Sequence, residues 1–125
     1  MVLKKDSDKK IEKLQSLRQK ANAAGGKKRI ANQHASGKLT ARERIEILFD
    51  KNTFQEIDQF VKPVNTKKET GVLGDGVITG YGKIQGRKIC CYAQDFTILG
   101  GSLSENAGKK ICKIMDLAMK IGSPI

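Results

Sequence analysis

The sequence is poor in several residue types, and each shortage narrows what the protein can be. It has no tryptophan, only 5% aromatic residues and a single histidine, His34. Binders of single-stranded nucleic acid present aromatic side chains among basic ones, and Tyr92 and Phe96 are not interleaved with Lys or Arg in this way. Neither a helix-turn-helix nor a zinc-finger pattern is present. We expect a structural or surface role for His34.

Cysteine is also scarce, and its spacing excludes the usual metal sites. Cys90, Cys91 and Cys112 are the three cysteines, and no pair has the spacing of metal ligands. Cys90 and Cys91 would face opposite sides of a strand. We expect reduced, buried thiols in a cytoplasmic protein. No apolar run approaches the roughly 20 residues of a membrane span, and no signal-peptide pattern is expected at the charged start.

Positive charge is abundant and uneven. The 125 residues carry a net charge of +11, and residues 1–50 hold 13 Lys and Arg against 6 Asp and Glu. Such a basic front half suits nucleic acid, an anionic membrane or a phosphorylated cofactor, and charge does not choose among them. With 38% hydrophobic residues, the chain can build one modest core.

Apolar periodicity predicts helices in the first part of the chain. We expect helices over residues 4–22 and 27–34, and a third that follows a capping box at Thr40 and Glu43, buries Ile45, Leu48 and Phe49, and stops near residues 50–52. A short strand over 54–60 and a loop over 62–74 come next. Asp75, between glycines, favours a turn over a functional role.

A hairpin and a helix are predicted for the rest. Strands over 75–84 and 87–94 flank a Gln85-Gly86 turn, and Gly80 and Gly82 indicate a bulge or a close backbone approach. A final helix from about residue 103, buried on more than one side, is expected to begin with a Ser102–Glu105 capping box and to end before Gly122. Pro124 and Ile125 then resemble the start of a strand, so we expect an unfinished βαβ unit and a longer parent protein.

The stretch "DFTILGGSLSE" (95–105) is the strongest candidate site. A helix N-terminus offers unpaired amides and the positive end of a dipole, and Gly100 and Gly101 let a ligand approach the backbone. This arrangement suits a phosphate or a developing oxyanion. It matches neither a P-loop nor a dinucleotide fingerprint, and a plain strand-to-helix turn remains open.

Three blocks in order carry a family resemblance: "SGKLTARERIEILFD" (36–50), "GDGVITGYGKIQGR" (74–87) and "QDFTILGGSLSENAGKKICKIMDLAMKIGSPI" (94–125). They resemble the start of the carboxyltransferase subunit of biotin-dependent acyl-CoA carboxylases, of the propionyl-CoA carboxylase β type, and are similar to the decarboxylase α-subunits and the transcarboxylase large subunit. The resemblance implies an α/β fold (α+β by content), a crotonase-like superhelix of ββα units. Here it would be incomplete, with an N-terminal helical segment (1–52) and the first β/α part (53–125).

The resemblance also implies an activity. Family members move a carboxyl group between biotin and the α-carbon of a short acyl-CoA, through enolates stabilised by backbone amides. The implied acyl-CoA-binding residues are Phe96, Gly100, Gly101 and Ser102. Candidate contacts to the CoA phosphates, with a solvated face as the alternative, are Arg29, Lys38, Arg42 and Arg44. No catalytic residue and no metal site is expected, and because the family's Gly-Gly-Ala-Arg loop is absent, residues 1–125 alone should be inactive.

Partners follow from the same resemblance. Biotin is expected on a separate chain or domain rather than on Lys120, although Ala118-Met119-Lys120 resembles a biotinylation tripeptide. Expected partners are a biotin carboxyl carrier, biotin carboxylase or membrane decarboxylase subunits, and further copies of the full-length chain, with no nucleic acid. The alternative functions are a basic nucleic-acid-binding module and a subunit-assembly module whose helices in 4–50 wrap a partner.

Overall fold

A computed structural model describes residues 2–64 and 72–125, without the side chains of residues 2–4. Part of the predicted 62–74 loop, with Gly71, therefore lies outside the described residues. The elements in chain order are α1 (Val2–Asn22), α2 (Lys27–Ala35), α3 (Ala41–Leu48), β1 (Gln55–Ile57), β2 (Val77–Ile84), β3 (Arg87–Gln94), a short turn of 3₁₀ helix (Leu99–Gly101) and α4 (Glu105–Ile121). The strand predicted over 54–60 is shorter, at Gln55–Ile57.

A capping box fixes the start of α3, as the sequence predicts. The Thr40 hydroxyl accepts a hydrogen bond from the Glu43 amide at 3.2 Å, and the Thr40 amide donates to the Glu43 carboxylate at 2.7 Å. The ring of His34 lies 2.9 Å from both carboxylate oxygens. This contact ties α2 to α3 and is the largest cause of the lowered pKa of Glu43, so His34 has the expected structural role at the surface.

The inner side of α3 differs from the prediction at one residue. Ile45 and Phe49 are buried, whereas Leu48 is 52% exposed. Residues four apart lie on one side of a helix, and the chain leaves helical geometry at Phe49. Phe49, and not Leu48, therefore completes the apolar contact with the sheet.

The sheet is antiparallel, in the order β1-β2-β3. Its hairpin turn has φ of 49° at Gln85 and 78° at Gly86, and two consecutive positive φ values are typical of the predicted two-residue turn. The Asp50 carboxylate accepts hydrogen bonds from both turn amides, at 3.0 and 2.9 Å. The hairpin is therefore held from the end of α3.

Helices cover both faces of the hairpin. One cluster joins α3 to the sheet through Ala41, Ile45, Phe49 and Ile78, with Cys91 packed against it. The other joins α4 to the opposite face through Cys90, Ile114 and Ala118. Cys90 and Cys91 thus face opposite sides, as predicted, and β2, β3 and α4 form one ββα unit.

The glycines of β2 allow close approach, and the pairing with β3 runs without a bulge from Val77 to Ile84. A Cβ atom at Gly80 would lie 2.3 Å from the carbonyl oxygen of Gln55, and one at Gly82 would lie 2.7 Å from the ring of Phe49. Of the two predicted explanations, close approach is correct. It brings β1 and α3 against the middle of the sheet.

The predicted Ser102–Glu105 capping box is wrong, because α4 is capped by Ser104. The Ser104 hydroxyl accepts a hydrogen bond from the Ala107 amide at 3.2 Å, and Asp75 accepts one from the same amide at 2.9 Å. Glu105 pairs instead with Lys109. A buried carboxylate from the distant 72–76 loop therefore sets where the helix begins. Gly122, with φ of 66°, is the left-handed C-cap expected from the sequence.

The outer side of α4 is open, contrary to the prediction of burial on more than one side. Met115 and Met119, on that side, are 44% and 76% exposed. The segment after α4 returns to the sheet, where the Cys90 amide donates to the Pro124 carbonyl at 2.9 Å. This contact agrees with the predicted βαβ path.

The three thiols are free, but they are not uniformly buried as predicted. Cys90 is buried, Cys91 is half-buried and Cys112, on the outer side of α4, is exposed. Burial, with a smaller effect of Cys90, raises the pKa of Cys91 to about 11. Across the described ranges, we find no helix with the length and apolar character that a membrane crossing requires.

Candidate functional site

The loop that follows β3 alternates between buried and exposed residues. Asp95, Thr97 and Ile98 are buried, whereas Phe96 between them is 65% exposed. The Asp95 carboxylate accepts hydrogen bonds from the Thr97 amide at 2.9 Å and the Thr97 hydroxyl at 2.6 Å. This local turn anchors the loop and directs the Phe96 ring to the surface.

A left-handed turn explains the two glycines of this loop. Leu99, Gly100 and Gly101 have φ of 48°, 62° and 75°, a region that glycine occupies without steric cost. A Cβ atom at Gly101 would lie 3.1 Å from the Phe96 ring, whereas one at Gly100 would meet nothing within 4 Å. Turn geometry and contact with Phe96 thus account for both glycines, and Gly100 leaves open space beside the ring.

The N-terminus of α4 is not an open anion site, in contrast to the sequence-based reasoning. Asp75 is only 3% exposed, and its carboxylate accepts hydrogen bonds from the Ala107 amide and the Ser104 hydroxyl. A carboxylate at this end of a helix already satisfies the dipole. With φ of 52°, Asp75 is at once the turn residue expected from the sequence and a helix cap.

Three of the four candidate phosphate-binding residues meet around Phe96. An open groove of about 340 Å³ is lined by Arg29, Phe96 and Gly100, among others. A neighbouring groove of about 400 Å³ is lined by Lys38, Arg44 and Phe96. All three cations are exposed, and Phe96 joins the two grooves into one basic surface.

Arg42, the fourth candidate, does not line these grooves. Its guanidinium donates to both carboxylate oxygens of Glu56, at 2.7 and 3.2 Å, and its side chain is 25% exposed. A fork-to-fork pair of this kind is specific and strong. Arg42 therefore joins α3 to β1, and this pairing gives no support to its expected contact with phosphate.

A third groove, with a mainly apolar lining, adjoins Phe96. It measures about 670 Å³ and is lined by Leu39, Ile47, Leu48 and Tyr92 together with Phe96, all of which are exposed. The combined surface thus brings cations and an apolar groove together around Phe96, and Arg44 lines both the basic and the apolar groove. It can receive a molecule with anionic groups at one end and an apolar arm at the other. We name the three connected grooves the Phe96 surface.

The remaining predicted pocket residues, Gly101 and Ser102, do not line the three grooves. Gly101 accepts a hydrogen bond from the Gln94 side chain at 3.1 Å, and Ser102 donates to the Leu99 carbonyl at 2.9 Å. Ser102 is exposed, and Gly101 is half-buried beneath Phe96. Both hydrogen bonds stabilise the turn that carries Gly100.

Sequence reasoning missed a buried lysine on α4. Lys110 is 2% exposed, and its ammonium donates to the carbonyls of Gly74, at 2.8 Å, and Val77. Burial lowers its pKa to about 8, although the nearby acids Glu56, Asp58 and Asp75 raise it. Its position, three residues after Ala107 and four before Ile114, is on the buried side of α4 and was a signal of burial that sequence reasoning did not use. The acceptors, from the 72–76 loop and β2, could not be read from the sequence.

Metal chemistry has no evident centre in the part of the chain that is described. No group of three or more His, Cys, Asp or Glu side chains within residues 2–64 and 72–125 is arranged to hold a metal ion. The lining of the Phe96 surface offers ionic contacts, apolar contacts and hydrogen bonds to the backbone.

Comparisons with known proteins match most of the chain. The model of the carboxyl transferase domain matches residues 32–125. The chain is 50% identical over 119 residues to the carboxyltransferase subunit of a propionyl-CoA carboxylase from Haloferax mediterranei, covering 93% of this chain and 23% of that protein. It is 55% identical over 119 residues to the α-subunit of methylmalonyl-CoA decarboxylase from Veillonella parvula, with the same coverage of both chains.

A solved structure is similar over the same region. The transcarboxylase 12S hexamer with methylmalonyl-coenzyme A and methylmalonic acid bound gives a TM-score of 0.87 at 39% identity, over 92% of this chain and 23% of that one. The predicted crotonase-like α/β class is confirmed. The chain spans about a quarter of the length of these relatives. From the match over residues 32–125 and these relatives, we conclude that the chain belongs to the carboxyl transferase domain family.

Proposed function

We propose that the chain is the acyl-CoA-facing, N-terminal part of a biotin-dependent acyl-CoA carboxyltransferase. The observation that carries this proposal is the Phe96 surface, where Arg29, Lys38 and Arg44 adjoin an apolar groove. Coenzyme A thioesters combine phosphates with a long, uncharged arm. The names of the relatives, which refer to propionyl-CoA and methylmalonyl-CoA, support the same substrate class.

The proposed reaction moves a carboxyl group between biotin and the α-carbon of a short acyl-CoA. An enolate formed on the thioester needs hydrogen-bond donors rather than a metal or an acid. In this proposal Phe96, Gly100, Gly101 and Ser102 shape the thioester end of the pocket, and the three cations hold the phosphates. We assign no catalytic residue to this chain and propose that it has no transfer activity by itself.

Biotin is proposed to arrive on a separate carrier chain or domain. Lys120 lies in the last turn of α4, whereas a biotinylated lysine needs an exposed hairpin turn, so the tripeptide at residues 118–120 is not its attachment site. Biotin carboxylase or membrane decarboxylase subunits, and further copies of the full-length chain, are the other proposed partners. The cytoplasmic location and the division at residues 52 and 53 stay predictions.

Titration with coenzyme A tests the proposal. We expect Arg29→Met, Lys38→Met and Arg44→Met each to weaken binding by roughly three- to tenfold, as for the loss of one charged contact to phosphate. Arg87→Met is the matched control, because Arg87 is an exposed cation at the start of β3. Equal weakening by all four variants would reveal unspecific attraction to net charge and would overturn the site.

Assembly is a second candidate role, and one observation favours it. The exposed Met115 and Met119, four residues apart, form a small apolar strip on the outer side of α4, and such strips mark surfaces that other protein segments cover. Sedimentation of the chain with and without Met119→Lys tests this role. Concentration-dependent association that the lysine abolishes is expected; a monomer at all concentrations would oppose it.

A further inference from the structure

Thr97 links the candidate binding loop to the N-terminal helices. Its side chain is buried, and its hydroxyl donates to the Asp95 carboxylate at 2.6 Å. The same hydroxyl accepts a hydrogen bond at 3.0 Å from the amide of Gly25, which lies 72 positions earlier in the chain. One oxygen thus connects the 95–101 loop to the α1–α2 corner (residues 23–26).

The corner can reach Thr97 only because Gly25 has no side chain. A Cβ atom at Gly25 would lie 1.9 Å from the Thr97 carbonyl oxygen, well inside any tolerated contact. That same carbonyl accepts a hydrogen bond from the Arg29 guanidinium at 3.3 Å. The amide, hydroxyl and carbonyl of Thr97 are therefore all engaged, two of them by the N-terminal helices.

We propose that Thr97 is a positioning residue that locks the 96–101 loop to the α1–α2 corner and so holds Phe96 and Gly100 in their ligand-ready arrangement. The neighbouring Phe96 ring is 65% exposed, so its own packing does little to fix its direction. The backbone at Thr97 fixes it instead. The ligand part of this inference rests on the proposed coenzyme A site.

The consequence concerns preorganisation. A loop that is already ordered pays less conformational entropy when a ligand binds. With the lock broken, the left-handed turn at residues 99–101 and the Phe96 ring would sample further conformations before binding. Affinity for coenzyme A should then fall, even though Thr97 itself is buried beneath the surface.

Three variants of the 125-residue chain test the lock. Thr97→Val keeps the shape and removes the hydroxyl, whereas Thr97→Ser keeps the hydroxyl. Thr79→Val is the matched control, since Thr79 is also fully buried and its hydroxyl donates to the Ile57 carbonyl at 3.2 Å, within the sheet. For each chain we would measure amide hydrogen exchange at residues 96–101 without ligand, the unfolding midpoint, and the dissociation constant for coenzyme A.

For Thr97→Val we expect about tenfold faster exchange at residues 96–101 and about tenfold weaker coenzyme A binding, with both restored by Thr97→Ser. Thr79→Val should lower the unfolding midpoint without selectively speeding amide exchange at residues 96–101. If Thr97→Val does not fold, Gly25→Ala decides in its place, because its Cβ would lie 1.9 Å from the Thr97 carbonyl oxygen and would separate the corner from the loop.

Two results would overturn the lock. One is loop exchange in Thr97→Val that stays within about twofold of the original. The other is faster loop exchange with unchanged coenzyme A affinity, which would deny any positioning role. If the original chain does not bind coenzyme A at all, the proposed function fails, and the exchange data alone still decide whether Thr97 orders the loop.

Discussion

The buried ammonium of Lys110 should make the stability of the chain rise with pH. Lys110 is 2% exposed, and desolvation lowers its pKa from the ordinary 10.5 to about 8, against the opposing effect of Glu56, Asp58 and Asp75. The unfolded chain therefore keeps this proton to higher pH than the folded chain does. Where the unfolded state binds more protons, the free energy of unfolding increases with pH.

The magnitude follows from the two pKa values. The increase begins near pH 8 and is complete above pH 10.5, with a total of roughly 3 kcal/mol. About 1 kcal/mol of it should fall between pH 8 and pH 9. Below pH 8 both states hold the proton, and Lys110 contributes no pH dependence.

Cys91 acts in the opposite direction at higher pH. Burial raises its pKa from 9.0 to about 11, so the unfolded chain loses this proton first. Its contribution to stability is present below pH 9 and is lost as the pH rises towards 11. Cys91→Ala removes this opposing effect and extends the range over which Lys110 can be followed.

Urea unfolding at several pH values, with a reductant present, measures both effects. Lys110→Met should flatten the profile between pH 8 and pH 9, whereas Lys109→Met should leave it unchanged. Lys109 is the matched control, since its side chain is 67% exposed and forms an ion pair with Glu105 at 2.7 Å. A flat or falling profile in Cys91→Ala, or an unchanged rise in Lys110→Met, would refute the reasoning.

Three further predictions concern the core, the α4 cap and activity. Gly80→Ala should lower the free energy of unfolding in urea by more than about 2 kcal/mol, because its Cβ would lie 2.3 Å from the Gln55 carbonyl oxygen. Gly108→Ala, on the open side of α4, should instead raise the free energy of unfolding by about 0.5–1 kcal/mol. A Gly80→Ala chain more stable than the Gly108→Ala chain would contradict the close contact of Gly80 with Gln55. Asp75→Asn should lower the thermal unfolding midpoint, because it removes about 1–3 kcal/mol of stabilisation at the α4 N-terminus. An unchanged midpoint would show that Asp75 does not cap the helix. The chain alone should transfer no labelled carboxyl from carboxybiotin to propionyl-CoA, and transfer above background would contradict the proposal that it is inactive by itself.

Local signals in the sequence were sufficient to predict several features of the fold. The capping box at Thr40 and Glu43 and the turn at Gln85 and Gly86 each depend on residues within four positions, so their patterns are readable without tertiary information. The opposite directions of Cys90 and Cys91 follow from strand geometry alone. These features are confirmed in the structure.

Features set by distant partners could not be predicted. The start of α4 depends on Asp75, 32 positions from the amide that it caps, and the Ser102–Glu105 pattern was a plausible competitor. The sequence does not distinguish Arg42 from the other basic residues near it, because its ion pair with Glu56 forms only in the folded chain. Lys110 is buried because two carbonyls from elsewhere in the fold meet its ammonium. In each case a long-range contact overrides a local preference.

For the candidate site, the residues could be named but their arrangement could not. Phe96 and Gly100 were selected with the family resemblance, whereas the apolar groove with Leu39 and Tyr92 arises from packing of α3 beside β3. The contact of Gly25 with Thr97 joins positions 72 apart. No short-range pattern reports such a contact.

The most direct test of the account is an amide-resolved NMR titration of the 125-residue chain with propionyl-CoA. The account predicts saturable shifts at residues 96–102 and near Arg29, Lys38 and Arg44, with little change at the distant Gln85-Gly86 turn. Shifts spread over the lysines of α1 that disappear with added salt, or no shifts at all, would contradict the placement of the acyl-CoA site on the Phe96 surface.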